Sequence, residues 1–279
     1  MDKLLIIDGS ALLFQSFYGM PNKIKNKDGK YIEAVICFMG ILFKTIKMIN
    51  PNNLLIVFDG ETHLKRQDVD QNYKANRPTF SEVSEEDNPF IQLETIKKVL
   101  THINFNWFET VTCEADDLIA SIINDYKKEY EIIISSSDKD FYQLISKNTK
   151  VFTYRGKVSK LWTEEEILKK YEFLPHNFST FKALVGDQSD NIKGIKGIGP
   201  KTATLLIKKF GDINNIYKNI EKINNQKLHD LLLYNKELAI KNYELVDLKN
   251  IHNLLTLTNL SFKLPTQSST DLLKEFDLI

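Results

Sequence analysis

The chain has only two cysteines among 279 residues, Cys37 and Cys113, and they fall in no metal-binding spacing. That excludes a disulfide-stapled scaffold and a zinc–thiolate centre, and leaves both as structural thiols. No apolar run reaches membrane-spanning length, and the opening MDKLLIIDGS turns acidic too soon for a signal peptide. A cytoplasmic protein with no membrane partner is therefore expected. An excess of one charge is also lacking: 37 Lys and Arg face 37 Asp and Glu. A protein that coats nucleic acid non-specifically would be strongly basic. An enzyme whose clustered acids offset basic patches elsewhere is still allowed, so distribution matters more than the sum.

What is present is ordinary for a folded domain, with 42% hydrophobic and 27% charged residues. The length suits one large domain, or a core domain with a smaller companion. KLLIID (3–8), NLLIVFD (53–59) and EIIISSSD (131–138) read as buried strands ended by polar turns. Helical patterns lie between them, at about 33–49, 88–101 and 115–129. Such alternation predicts an α/β fold, a mainly parallel sheet with helices on both faces. Residues 150–163 read as a closing hairpin with Gly156 at its turn. From about residue 163 the strand signal fades, and helices are expected near 177–185, 200–210 and 226–246. The spacing predicts a core over 1–175 and a smaller helical domain over 176–279. The polar segment 66–89 does not read as core and is expected to be a surface loop or an element that orders on a ligand.

All three strands end in aspartate: Asp8, Asp59 and Asp138. Ligands of open parallel sheets bind outside the carboxyl ends of the strands, so these acids should lie near one another. One such Asp is most often a helix cap. Three crowded together require a cation to offset their repulsion. CEADDLIASI adds Glu114, Asp116 and Asp117; Glu114 and Asp117 share a helical face, and Asp116 points elsewhere. Asp140 follows Asp138 by two, and Asp187 and Asp190 are one helical turn apart in GDQSD. These nine acids suit hard divalent cations such as Mg²⁺, which take oxygen ligands. Two ions roughly 3.5–4 Å apart can clamp the attacking and leaving oxygens of a phosphoryl displacement. The histidines His63, His102, His176, His229 and His252 fall in no triad or ligand spacing.

GIKGIGPKTATLL places Gly194, Gly197 and Gly199 before Pro200 and a helix start, with Lys196 and Lys201 flanking the turn. Glycines let backbone approach a ligand closely, and the free N–H groups of a helix start favour phosphate. This is a helix–hairpin–helix pattern over 192–206, built to hold phosphates without reading bases.

Taken in order, IIDGS, VFDG, YKANR, EADD, SSDKD, GDQSDNI and GIKGIGPKTA resemble the bacterial 5′-nuclease (flap endonuclease) family, including the 5′–3′ exonuclease domain that precedes DNA polymerase I in many bacteria. The resemblance runs from Met1 to about residue 250. It implies a PIN-like core, a helical arch formed by about 66–89 and a helix–hairpin–helix domain. It implies that Asp8, Asp59, Glu114, Asp116, Asp138, Asp140 and Asp187 ligate two Mg²⁺, or Mn²⁺ in their place, with Asp117 and Asp190 as further acids of bacterial members. Arg66, Tyr73, Lys74 and Arg77 match positions that steer the scissile phosphate. Gly194, Lys196, Gly197, Gly199, Lys201 and Thr202 match a DNA-binding hairpin, and the carbonyls of Ile195 and Ile198 match a K⁺ site. Phe14 stands where many relatives carry tyrosine, which keeps base stacking and loses a hydroxyl. The implied activity is cleavage of DNA at a 5′ end or 5′ flap by a monomeric, free-standing nuclease of replication and repair. Two alternatives are a DNA-binding module without catalysis and an RNA-directed nuclease of the same fold. An aspartate-nucleophile phosphatase would want a second Asp where Ser10 stands.

Overall fold

The computed structural model describes residues 1–60, 65–77, 80, 83–248, 257, 260–266, 268–276 and 278, so His63 and His252 lie outside the described residues. Its chain order begins β1 (Asp2–Asp8), α1 (Gly9–Gly19), α2 (Glu33–Ile49), β2 (Asn53–Phe58), α3 (Lys65–Val69), α4 (Leu93–His102) and β3 (Trp107–Glu109). It continues α5 (Ala115–Tyr126), β4 (Tyr130–Ser135), β5 (Thr149–Thr153), β6 (Lys160–Trp162), α6 (Glu164–Tyr171) and α7 (Phe178–Val185). A short antiparallel hairpin follows, β7 (Gly186–Asp187) and β8 (Ile192–Lys193). The remaining helices are α8 (Pro200–Phe210), α9 (Ile213–Lys218), α10 (Gln226–Tyr234), α11 (Lys236–Val246) and α12 (Ser269–Glu275).

The main sheet has the order β3-β2-β1-β4-β5-β6, parallel throughout except for β6. The three strands legible as apolar runs are its centre. Their residues alternate between two cores, as the period-2 geometry of a strand requires. Leu5, Ile7, Leu54 and Ile56 join α2 and α4 in one core, whereas Leu4, Ile6, Leu55 and Val57 join α5 in the other. Both faces are covered, which is why Leu4–Ile7, Leu54–Phe58 and Ile132–Ile134 hold no polar residue. The register sets Asp8 opposite Val57 and Ile7 opposite Ser135, so β1, β2 and β4 deliver their last residues to one edge.

Two expectations need correction, and one strand had no counterpart in the sequence reading. Residues 226–246 form two helices, because Asn235 ends α10 and donates its side-chain amide to the Leu231 carbonyl at 2.8 Å. Such a local bond competes with the helix ladder. The short strand β3 was not legible: three residues are too few to show a period. The tail does not extend the helical part. Leu272, Leu273 and Leu278 bury themselves in the core around α2, and Leu54 donates its N–H to the Leu260 carbonyl at 3.0 Å. Apolar side chains on α12 thus return to the first body of the fold. The helical part, α7 to α11, has its own core around Leu184, Ile195, Ile198, Leu206 and Leu232. Among the described residues no helix is long and apolar enough to cross a membrane.

Candidate active site

Each strand-end acid performs the local task that its position demands and keeps capacity for another. Asp8 caps α1, its Oδ1 accepting from the Ala11 N–H at 2.9 Å, while Oδ2 accepts from the Ser136 hydroxyl at 2.7 Å. Asp59 Oδ1 accepts from the Ala115 N–H at 2.8 Å, at the positive end of α5. Asp138 accepts from the Asp140 N–H at 2.8 Å, and its own N–H donates to Ser136 Oγ at 3.0 Å. Capping and ligation are therefore not rival uses of these residues. A cavity of about 450 Å³ is lined by Asp8, Asp59, Glu114, Asp116 and Asp138, with Lys74 and Arg77 across from them.

α5 resolves the EADD run as helical spacing predicts, with a consequence that spacing does not reveal. Glu114 and Asp117 share a face, and that face belongs to Arg66: one guanidinium nitrogen binds Glu114 and the other lies 2.7 Å from Asp117 Oδ1. Asp116, the residue pointing elsewhere, faces the strand-end acids. Burial, followed by the charges of Asp138, Asp8 and Asp59, pushes its carboxyl well above the usual range despite Lys74. Burial also raises Asp8, to about 7, with Asp59 and Asp138 adding to it against the bonds from Ala11 and Ser136. Four carboxylates in this setting lack sufficient positive charge. Glu114 is the contrast. Burial would raise it too, but Lys74 and Arg66 hold it below its ordinary value.

A second group forms from Asp140, Asp187 and Asp190, which bring one carboxylate oxygen each within 4.8 Å of one another. Asp187 and Asp190 do not achieve this by sharing a helical face. Asp187 belongs to β7, and the chain turns through Asn191 in a left-handed conformation, φ 57°. Lys182 on α7 pairs with both Asp140 and Asp187, and Arg77 lies 2.7 Å from Asp190. Against the pull of burial, Lys182 and the bonds from Ser189 hold Asp187 below its ordinary value. Asp117 joins neither group: its partner is Arg66.

The polar segment after β2 is not a detached loop. Tyr73 is 3% exposed and packs with Ala183, Ile192, Leu245 and Val246. The Lys74 N–H donates to the Asp190 carbonyl at 3.0 Å, Asn76 donates to the Gln188 carbonyl at 3.0 Å, and Asn191 donates to the Asn72 carbonyl at 2.8 Å. Lys74 Nζ lies 2.6 Å from Glu114 Oε1. Lys74 and Arg77 line the cavity, whereas Arg66 is buried and the Tyr73 hydroxyl sits 3.4 Å from Glu114. Arg66 and Tyr73 therefore position Glu114, where all four had been expected to meet a phosphate. Lys182 and Ser136 carried no sequence signal. Phe80 and Phe90 did, as aromatics in or beside a polar stretch: both line the cavity and pack on Phe14, with centroids 5.8 and 5.6 Å away. The three rings form an aromatic wall in a cavity whose other wall is acidic.

The glycine hairpin follows directly from β8. Gly186 and Gly194 meet backbone to backbone: a Cβ on Gly194 would sit 2.1 Å from the Val185 carbonyl oxygen. Packing thus explains Gly194, which had been expected to serve DNA. Gly197 has φ 100°, which an L side chain rarely adopts, and Gly199 precedes the Pro200 that opens α8. Lys196 and Lys201 are exposed beside them, with Thr202 half-buried. The side chains of Ile195 and Ile198 are buried, and the Ile195 carbonyl accepts from the Ile198 N–H at 2.9 Å.

Comparison with known proteins gives a consistent result. Residues 3–172 match the family model of the 5′-3′ exonuclease N-terminal resolvase-like domain, and residues 173–268 match that of the 5′-3′ exonuclease C-terminal SAM fold. A 5′-3′ exonuclease of Aquifex aeolicus is 34% identical over 100% of this chain and 96% of its own. The DNA polymerase I of Caldicellulosiruptor bescii is 32% identical over 85% of this chain, but the match spans only 28% of that longer protein. Among solved structures, the bacteriophage T5 D15 flap endonuclease, crystallised as a pseudo-enzyme–product complex with DNA and metal ions, has a TM-score of 0.71 at 24% identity, covering 88% of this chain and 89% of that one. This last likeness concerns the fold.

Proposed function

The chain belongs to the 5′-3′ exonuclease family, and from that membership we propose that it is a divalent-metal-dependent phosphodiesterase that cuts DNA at a 5′ end or a 5′ flap. The observation that carries the proposal is the meeting of Asp8, Asp59, Asp116 and Asp138, from three strand ends and a helix start, in one cavity with Lys74. No packing requirement explains four acids converging on one cavity, Asp8 buried and Asp116 and Asp138 half-buried, and a divalent ion does. The donor set is all carboxylate oxygen, which fits Mg²⁺ or Mn²⁺ and not a soft metal. Asp8, Asp59, Glu114, Asp116 and Asp138 would hold one ion, and Asp140, Asp187 and Asp190 a second. When bound, the ions supply an activated water and neutralise charge on the phosphate.

The chain's own residues do the rest. Lys74, fixed from behind by Tyr73 and by its backbone bond to Asp190, aims an ammonium into the cavity where charge develops on the phosphate oxygens. Burial disfavours that ammonium, but Tyr73, Glu114, Asp116 and Asp190 outweigh it and raise its pKa, so it stays charged. Arg77, half exposed, is the second phosphate contact. Arg66 helps keep Glu114 ionised and holds both Glu114 and Asp117 in place. Phe14, Phe80 and Phe90 offer ring faces and edges to the unpaired base next to the cut. The hairpin from Gly194 to Thr202 holds backbone phosphates, with K⁺ at the carbonyls of Ile195 and Ile198. The enzyme would act as a monomer in the cytoplasm, in DNA replication and repair.

The test uses a duplex with a 5′ flap, labelled at its 5′ end, with Mg²⁺ or with EDTA. Cutting near the flap junction by wild type in Mg²⁺ alone, lost in Asp138→Asn while the variant still shifts DNA in Ca²⁺, is the expected result. Binding without cutting in Mg²⁺ and in Mn²⁺ would leave only a DNA-binding module.

A further inference from the structure

The bases of this chain equal its acids in number but are not evenly spread. β5 runs parallel to β4, so Arg155, two residues beyond its end, emerges at the sheet edge that also carries Asp138. Gathered there are Lys139, Arg155, Lys157, Lys160 and Lys170, all exposed. Lys160 pairs with Glu166 at the start of α6, and its Nζ lies 4.0 Å from the centre of the Trp162 ring. Lys170 lies over Trp162 and Tyr171, at 4.8 and 5.2 Å from the ring centres. Lys139, Arg155 and Lys157 make no ion pair among the described residues.

The grouping is close enough to be felt. Besides burial, Lys139, Lys160 and Arg155 lower the pKa of Lys170. Like charges held together without counter-charge destabilise a fold, so a surface that keeps them must gain when an anion arrives. The patch is also connected to the site. Lys139 and Tyr171 line a groove of about 510 Å³ that runs past Asp138 to Asp187, with Phe178 and Phe181 in its wall. The chain segments that carry it, 139–170, are separate from the glycine hairpin at 194–202. Nothing in the cavity chemistry uses it.

We propose that Lys139, Arg155, Lys157 and Lys170 form a second phosphate track, which holds the DNA backbone outside the site cavity, where the bound duplex passes the β5–β6 hairpin. The inference rests on the nuclease reading above and adds to it where the substrate lies. Exposed basic side chains that contact phosphates fix position and read no base.

The test is the salt dependence of binding. Affinity for the flap duplex is measured in Ca²⁺ between about 50 and 200 mM salt for wild type and for a Lys139→Gln, Arg155→Gln, Lys157→Gln triple variant. Lys170 is left alone because its stem packs on two rings. Each lost phosphate contact should lower the slope of log affinity against log salt by about one, so the triple variant should lose about three and bind roughly tenfold more weakly at the middle of that range. The charge-preserving Lys139→Arg, Arg155→Lys, Lys157→Arg variant should restore both, which separates charge from folding. Cutting by wild type is assayed alongside in Mg²⁺. If wild type cuts and the triple variant keeps the wild-type slope, the track is wrong and the nuclease reading stands. If wild type binds with a patch-dependent slope but never cuts, the track stands and the nuclease reading is wrong. No binding by wild type overturns both.

Discussion

The two acid groups of this protein adjoin through a groove that Asp138 and Asp187 both line, and they are compensated in opposite ways. At the sheet edge Asp8, Asp59, Asp116 and Asp138 face one another, and burial with mutual repulsion raises Asp8 and Asp116. Around the β7–β8 hairpin, Asp140, Asp187 and Asp190 have Lys182 and Arg77 among them, and Asp187 is held low. On the reading proposed above, the first group takes its missing charge from a bound cation. The second carries the protein's own cations, which a metal must displace or share with. A count of carboxylates therefore does not give a metal affinity, because the affinity depends on what already neutralises them.

The contrast between the groups should be felt most at Asp116. Asp116→Asn should slow cutting by about 10³-fold, several kcal/mol of lost charge stabilisation, while flap binding in Ca²⁺ persists. Single-turnover rates and gel shifts measure the two parts. Lys74→Ala should cost about 10²-fold at the same step, the usual loss for one fixed donor at developing charge. Asp190→Asn, in the group with its own cations, should cost only about tenfold, most of it recovered by raising Mg²⁺. A Mg²⁺ titration in which the Asp116 and Asp190 variants behave alike would remove the distinction between the groups.

Stability separates the groups as well. Asp8, raised to about 7 in the folded chain from 3.8, stabilises the fold fully below its unfolded value, and that contribution is lost as pH climbs through about 7. Glu114 and Asp187, held low, contribute fully above their unfolded values and lose that only in acid. Between about pH 5 and pH 8, then, the raised acids lose that contribution, in the same direction as His229, which Asp230 holds above its ordinary value, and the Tm of metal-free protein should fall by several degrees. Mg²⁺ should flatten the fall, and Asp8→Asn should reduce it. A Tm that holds level in EDTA would contradict the crowding at the sheet edge. Away from the acids, Gly194→Ala should cost about 1–3 kcal/mol in a denaturant titration, because its Cβ meets the Val185 carbonyl, and leave the pH dependence of Tm unchanged.

Much of the first group was legible in the amino-acid sequence. An apolar run that stops at aspartate predicts a parallel strand delivering an acid to the sheet edge, and Asp8, Asp59 and Asp138 follow from that rule. The helical step also separated Asp116 from Glu114 and Asp117. What the step could not reveal was the occupant of each face, since Arg66 comes from a segment 48 residues before Glu114. The second group was legible in composition and not in geometry. A tight hairpin and a left-handed Asn191 bring Asp187 and Asp190 to Asp140, and sequence spacing alone suggested a helix. The polar segment misled because its anchors, Arg66 and Tyr73, are the few members that bury themselves, and their partners lie on α5, α7 and α11. Where the tail would pack was not legible for the same reason: long-range packing leaves no local period.

The main chain of Lys74 is bonded to the main chain of Asp190, and Asn72 and Asn76 are bonded to the same turn. The ammonium and the turn that bears two carboxylates are therefore ruled from one origin, as the two jaws of a caliper share a beam. If the segment shifts, both shift together, and their mutual spacing survives. A substrate that draws the segment aside would carry Asp187 and Asp190 along with it and away from Asp140, so catalytic alignment would fail as a whole and not by degrees.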